Sequence, residues 1–285
     1  MNVTFFGVRG STPCPSPANA RYGGNTACVV IDRPGADRES GQPSIPIIFD
    51  IGTGLRAYGE ALPPDLHFHG AAFVTHLHWD HVQGLPFFGP TLRPGGRLDV
   101  YGPPPEPVTT LEESFAGFMR PPYFPVTVGD LKGEISFRDF SSGSISVGDA
   151  TVTAASVPHV GVTNGYRVDW AGASIAYVSD HQQPTDDPFA VDPGVIELCR
   201  DVDVLIHDAQ YTPEEFHTKC DWGHCTVEYA VHVANTCGAR QLALFHHDPL
   251  HDDAWLDCLL VGARQLARPD LEVTSAYEGL TISLS

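Results

Sequence analysis

Short apolar runs alternate along the chain with stretches whose apolar residues recur at helical spacing. The first pattern predicts strands near residues 2–8, 27–32, 45–50, 71–75, 97–101, 134–139, 144–157, 164–169, 173–179, 203–207, 241–246 and 271–284. The second predicts helices near 54–62, 110–119, 194–200, 226–237 and 252–267. In the last of these Trp255, Leu256, Leu259, Leu260, Ala263 and Leu266 form a broad apolar face, and Asp252 and Asp253 precede it, where negative charge favours a helix start. Val227, Ala230, Val231 and Ala234 repeat at helical spacing and Gly238 reads as a stop. Strands and helices interleave without a clean linker or a fixed-period repeat, so periodicity by itself predicts a mixed α and β chain. The 285 residues are expected to form a single domain, 1–285.

One segment changes the picture from fold to chemistry. Thr75-His76-Leu77-His78-Trp79-Asp80-His81 follows the apolar run Ala71-Ala72-Phe73-Val74 and carries four potential metal ligands in six positions. A strand that ends in such a cluster presents its ligands from a rigid support. His76 and His78 are two apart and point the same way if the chain is still extended. Asp80 and His81 follow where it should turn and can face a second point. Two metal ions side by side, each with imidazole and carboxylate ligands, are the natural reading, and such ligands suit zinc and similar borderline metals.

With that motif the chain resembles the metallo-β-lactamase fold superfamily, in particular its phosphodiesterase-like branch, which includes tRNase Z and cyclic-nucleotide or cyclic-phosphate phosphodiesterases. The resemblance runs over five stations in order: Asp50 before the Gly52-Thr53-Gly54 turn, the His76 cluster, His159, Asp180 and His246. It implies an α/β fold, a four-layer αββα sandwich of two facing sheets with helices outside. It also implies a division of labour. His159 would complete one metal site with His76 and His78, and His246 the other with Asp80 and His81. The Asp180 carboxylate would span the roughly 3.5–4 Å of a two-metal site. Asp50 would hold a ligand histidine or its loop in place. His246 is preferred over its neighbour His247 because Leu242, Leu244 and His246 share one strand face and because the family pattern puts a ligand there. Asp180 is preferred over His181 because a carboxylate bridges two cations easily.

Departures from other branches narrow the class. Zinc β-lactamases commonly carry Cys where Asp180 stands, and the flavodiiron branch replaces a first-cluster histidine with an acid; neither change is present. Val204-Leu205-Ile206-His207-Asp208-Ala209 resembles the His-Glu-Ala-Thr motif of tRNase Z-like enzymes, with Asp208 for Glu. Trp222-Gly223-His224-Cys225-Thr226 resembles their Gly-His-Ser-Thr loop, with Cys225 for Ser. His224 precedes a predicted helix whose free N–H groups attract phosphate oxygens. It would donate a proton to a leaving alkoxide, its ring oriented by Asp208.

Composition then bounds the partners. The net charge is −19 and there are two lysines, Lys132 and Lys219, so no large nucleic-acid surface is expected. Arg9 and Arg21 remain as local basic spots in the first loops. Residues 102–126 do not look like the long basic, Gly-rich arm that tRNase Z enzymes use to grip tRNA. Their Phe115, Phe118, Tyr123 and Phe124 could form an aromatic lid, or simply pack this segment onto the body. The Gly- and Pro-rich loop 9–26 would lie near the metal end. Seven scattered cysteines without zinc-knuckle spacing read as free thiols, a start that turns polar too soon for a signal peptide points to the cytoplasm, and no apolar run approaches a membrane span.

The expected protein is therefore a binuclear metal-dependent hydrolase carrying two divalent ions, zinc first, with Mn2+ or Fe2+ as alternatives. Its substrate would be a small phosphodiester, such as a cyclic nucleotide or other cyclic phosphate, and a homodimer is possible. Asp80 would bind metal and orient the nucleophile. Hydrolysis of a lactone or thioester, or a non-catalytic sensor or carrier of the same fold, are the alternatives.

Overall fold

The computed structural model describes residues 1–32 and 44–284. In chain order the strands are β1 (Asn2–Gly7), β2 (Cys28–Asp32), β3 (Ile47–Phe49), β4 (His69–Phe73), β5 (Arg97–Gly102), β6 (Glu134–Asp139), β7 (Gly143–Val147), β8 (Ala150–Ser156), β9 (Asn164–Trp170), β10 (Ala173–Val178), β11 (Val204–Asp208), β12 (Gln241–Phe245), β13 (Glu272–Ser275) and β14 (Thr281–Ser283). The helices are α1 (Gly54–Ala61), α2 (Trp79–Val82), α3 (Leu111–Phe118), α4 (Pro193–Cys199), α5 (Pro213–Lys219), α6 (Val227–Cys237) and α7 (Asp253–Leu266). One sheet has the order β14-β1-β2-β3-β4-β5-β6 and the other β13-β12-β11-β10-β9-β8-β7.

Both sheets are mixed. Strands β3 to β6 run parallel in the first, and β10 to β13 in the second; the remaining pairs are antiparallel. Parallel strands end on one edge of their sheet, and ligands collect where the carboxyl ends of such strands open onto a crevice. The apolar residues sort into three layers. Val3, Phe5, Phe49, Phe73, Tyr166, Tyr177 and Phe245 fill the space between the sheets. Leu55 of α1 and Phe115 of α3 cover the outer face of the first sheet against Ile48, Ala72 and Leu98. Val195 of α4, Val231 of α6 and Ala263 of α7 cover the second against Leu205 and Leu242. Three cores between four layers make the αββα sandwich that the family resemblance implies.

Phe49 ties the sheets together. Its ring stacks on Tyr177 of the facing sheet at 4.8 Å and 5°, and on Tyr166 at 5.8 Å and 11°. Truncating such a ring to alanine costs about 3–5 kcal/mol in a close-packed core.

The predicted strand 144–157 is two strands: Val147 pairs with Ala150 across a two-residue turn in which Gly148 has φ 58°. The predicted strand 271–284 also divides. Gly279 turns the chain at φ 89°, sending β13 to one sheet and β14 to the other. Two short helices escape the periodicity. Helix α2 is a single turn, and α5 is a seven-residue helix with a Thr212–Glu215 capping box and Pro213 in its first turn. Among the described residues no helix is long and apolar enough to cross a membrane.

Candidate metal centre

The carboxyl ends of β3, β4, β10, β11 and β12 deliver Asp50, His76, Asp180, Asp208 and His246 to one edge of the sandwich. His78 caps the one-turn helix α2, which carries Asp80 and His81. His159 follows β8 and His224 precedes α6. All seven residues expected as metal ligands converge there. His76, His78 and His159 form one group whose ligand atoms lie within 4.8 Å of one another, and Asp80, His81 and His246 form another. Asp180 joins His76 and His81 in a third group. Its Oδ1 lies 3.8 Å from the Nε2 atoms of His76 and His159 and 3.5 Å from that of His246, while its Oδ2 is 3.3 Å from His81 Nε2. A fourth group, Asp180 with His224 and His246, brings His224 within reach of an ion as well.

The donor set fits divalent cations, and the hydrogen bonds behind it give the reason. A carbonyl or carboxylate only accepts, so its partner nitrogen must carry the proton. His81 Nδ1 donates to Asp50 Oδ2 at 2.8 Å, His159 Nδ1 to the Gly223 carbonyl at 2.7 Å, and His246 Nδ1 to Gln210 Oε1 at 2.7 Å. Each leaves Nε2 as a lone pair aimed into the cluster. His76 Nδ1 lies 3.0 Å from Thr75 Oγ1, and its buried Nε2 has no hydrogen-bond partner. Ring nitrogens also face one another, His246 against His81 at 3.3 Å and His159 against His78 Nδ1 at 3.4 Å. Imidazole nitrogens converging at that separation, beside buried carboxylates, match a site built for cations.

The carboxylates call for positive charge at this point, supplied by a proton on His81 or by a metal ion in its place. Burial disfavours the His81 imidazolium, yet Asp180, Asp80 and Asp50 together hold it well above the usual range. Burial would raise Asp180 and Asp80, but the surrounding histidines hold both carboxyls low. The His76 imidazolium is pushed well down, first by burial and then by the neighbouring His81.

Asp50 is fully buried and sits behind the cluster. Besides His81, it accepts from the Thr75 backbone N–H at 2.8 Å and from the Tyr177 hydroxyl at 2.8 Å. Asp50 and His246 both have positive φ, 55° and 57°. For non-glycine residues this is a costly conformation that persists where surroundings over-determine it, often at functional sites. Three supporting contacts went unread in the sequence. Gln210 grips His246, the Ser11 N–H donates to Asp80 Oδ2 at 2.7 Å, and Gly10 lets the first loop pass the His246 ring, since a Cβ there would stand 2.4 Å from it. Only the Gly-rich composition of 9–26 hinted at this contact. Gly223, at φ 94°, likewise leaves no room for a Cβ against His159.

His224 Nδ1 donates to Asp208 Oδ2 at 2.9 Å. Asp208 is fixed in turn by the backbone N–H groups of His181 and Gln210, both at 3.0 Å. Burial pushes the Asp208 carboxyl up and the His224 imidazolium down, the latter opposed by Asp180 and Asp80. Cys225 sits where the related motif has Ser, its thiol donating to the Asp208 carbonyl at 3.1 Å. The start of α6, expected to attract phosphate, is already engaged. The Thr226 N–H donates to Gln183, Val227 to the Tyr211 carbonyl and Tyr229 to the Thr226 hydroxyl.

The neighbours that competed for ligand roles face elsewhere. His247 Nε2 donates to the Ala276 carbonyl at 2.9 Å, and His181 Nδ1 meets His207 Nε2 at 2.9 Å. Arg9 is no basic surface spot. It is buried and donates to the carbonyls of Gly23, Asp248 and His251, tying the first loop to the segment after β12. Arg21 pairs with Asp257 and Asp253. Phe115 packs in the core under α3, whereas Phe118, Tyr123 and Phe124 line a cavity beside α2. All seven cysteines are free.

The comparisons with known proteins agree with this geometry. The beta-lactamase superfamily domain matches residues 47–247. Ribonuclease Z of Haloarcula marismortui is 25% identical over 287 residues, covering 86% of each chain. The structure of the metallo-beta-lactamase fold protein YhfI from Bacillus subtilis superposes with a TM-score of 0.72 at 17% identity, over 99% of this chain and 98% of the other. The short form of human tRNase Z gives 0.69 at 23%, over 100% of both. These relatives overturn the charge-based expectation of a small phosphodiester partner without a large nucleic-acid surface, because ribonuclease Z and tRNase Z are named for acting on RNA. Net charge sums the whole surface, whereas a polyanion meets one face of it, so the sum is a poor filter. The chain belongs to the beta-lactamase superfamily domain family and, within the metallo-β-lactamase fold superfamily, to the phosphodiesterase-like branch of metal-dependent hydrolases.

Proposed function

We propose that the chain is a binuclear phosphodiesterase. In this reading His76, His78 and His159 hold one divalent ion, Asp80, His81 and His246 hold the other, and Asp180 spans the two. Zinc suits the imidazole-rich set best, with Mn2+ or Fe2+ as alternatives. When bound, the ions supply Lewis-acid activation of water and of the phosphoryl oxygens.

The remaining roles fall to the chain's own groups. Asp80, steadied by the Ser11 N–H, binds metal and orients the attacking water. His224 is the general acid. The observation that carries the reading is its Nδ1 hydrogen bond to buried Asp208, which leaves Nε2 as the proton donor for a leaving alkoxide. The negative charge of an arriving phosphodiester favours the imidazolium and opposes the burial that disfavours it. A thiolate leaves without such an acid, so this pair disfavours thioester hydrolysis; the alkoxide of a lactone would use it as a phosphodiester does, and the substrate panel separates those two.

The test is a substrate panel of cyclic nucleotides, an RNA oligonucleotide, bis(p-nitrophenyl) phosphate, lactones and thioesters, assayed with wild type and His224→Ala. We expect phosphodiester turnover, and in His224→Ala a loss of about 10²–10⁴-fold for poor leaving groups that shrinks for p-nitrophenolate, with both ions retained. Faster turnover of lactones or thioesters would overturn the function. A His224→Ala protein that loses one ion would move His224 into the ligand set.

A further inference from the structure

Helix α2 faces two ways. Asp80 and His81 point into the ligand cluster, while Trp79, between the ligands His78 and Asp80, is 74% exposed. With Val82 and Gln83, Trp79 walls a cavity of about 420 Å³. Phe87, Phe118 at the end of α3, and Tyr123 and Phe124 beyond it close the other side. Phe87 and Phe124 meet edge to face, 5.8 Å between centroids, and Tyr123 is 73% exposed.

The chemistry of this cavity is the reverse of its neighbour's. Among the described residues no lysine, arginine, aspartate or glutamate lines it, and its polar side-chain groups are the Gln83 amide, the Tyr123 hydroxyl and the Trp79 N–H. Exposed aromatic rings beside a cation-binding cluster offer stacking faces to a planar group whose anionic end the cluster would hold. Its volume lies within the roughly 300–1,000 Å³ of small-molecule sites.

We propose that this cavity seats a nucleobase. The phosphate of a nucleotide phosphodiester lies over the ligand cluster, and its base stacks against Trp79 and Tyr123, with the Gln83 amide offering a donor and an acceptor to the base edge. The inference rests on the phosphodiesterase reading and adds to it a site for the base. The division follows charge: the anionic end of the substrate takes the metal-loaded cluster and the neutral planar end takes the apolar cavity. The shared covalent path, His78-Trp79-Asp80, holds the two at a fixed separation. A cyclic mononucleotide and a nucleotide within an RNA strand present the same base and phosphate chemistry.

The experiment uses the metal-loaded enzyme and three diesters: a cyclic mononucleotide, a short RNA, and a baseless dialkyl phosphodiester. Loss of one base–aromatic stack corresponds to about 5- to 150-fold in affinity. Trp79→Ala should therefore lower the ratio of nucleotide to baseless kcat/KM about tenfold or more, mainly through KM, and Trp79→Phe should restore most of it. Tyr123→Ala, which lies outside the ligand segment, should lower the same ratio, keeping the test open if Trp79→Ala sheds metal. Independently of turnover, a nucleoside monophosphate should quench tryptophan fluorescence in the wild type and fail to do so in Trp79→Phe. Equal losses for baseless and nucleotide diesters, together with no quenching, would overturn the proposal while leaving the phosphodiesterase reading intact. Quenching without turnover of any phosphodiester would sink that reading and keep the base site. The arm with the larger ratio identifies the source, mononucleotide or RNA.

Discussion

The two halves of the ligand cluster use the same residue types but are built to different standards. Asp80, His81 and His246 are buried, and each is gripped from behind by Ser11, Asp50 or Gln210. In the other half His76 and His159 are also held from behind, by Thr75 and the Gly223 carbonyl, but His78 is exposed, and the three contain no carboxylate of their own and share only Asp180. Held rotamers and buried negative charge lower the cost of organising a site around a cation. The closed half should therefore grip its ion the harder, and the open half should be where solvent and substrate enter.

Asp180→Ala should produce the largest effect, because it removes the one carboxylate facing both halves. Elemental analysis should fall from about two ions per chain to one or fewer, with phosphodiester turnover lost; a two-metal site acts as a unit. A folded variant that keeps two ions would show that Asp180 spans nothing. Next in size is the contrast between halves. Chelator titration should release the open-half ion first, His78→Ala should lose that ion alone, and His246→Ala should lose the closed-half ion. Release of both ions in a single step would erase the asymmetry.

A smaller effect concerns the shell around the closed half. Burial depresses the imidazolium of His207 to about 4 and of His247 to about 3. Both are held neutral in the folded chain, so the unfolded chain takes up protons first as pH falls. Their stabilisation is complete above about pH 6.5 and drains away toward the folded values, roughly 3 kcal/mol for His207 alone. In the metal-free protein the urea midpoint should drop between pH 6.5 and 4, and His207→Gln should flatten that slope. A flat wild-type profile would mean that these rings titrate freely.

Much of this was legible in the sequence. A histidine-rich motif after an apolar run, then single acids and histidines after later runs, are local patterns. They predict which residues come to the strand ends, because a strand's direction and length bring its next residue to the sheet edge. The hairpin at Gly148 and the capped helix at Thr212 carried local signals too, a Gly-Asp turn and a capping box with proline, even though hydrophobic periodicity passed over both.

Other features had no local signal. His246 and His247 are adjacent and chemically identical, yet one faces Asp80 at 3.2 Å and the other a backbone carbonyl. The φ of 57° at His246 sets its direction, and that angle is held by contacts from Gln210 and the first loop, remote in sequence. Arg9 read as surface charge, but the carbonyls that bury it come mostly from a segment more than two hundred residues away. Trp79 carried no signal of its own beside the histidines, and only the packing of the segment around the end of α3 against α2 makes it a cavity wall. Sequence by itself determined the candidate ligand residues and the strands that carry them, because both depend on residue type and short-range period. Tertiary structure alone decided which nitrogens turn inward, what braces them and where a base could lie, because those depend on side chains that meet only after the two sheets close.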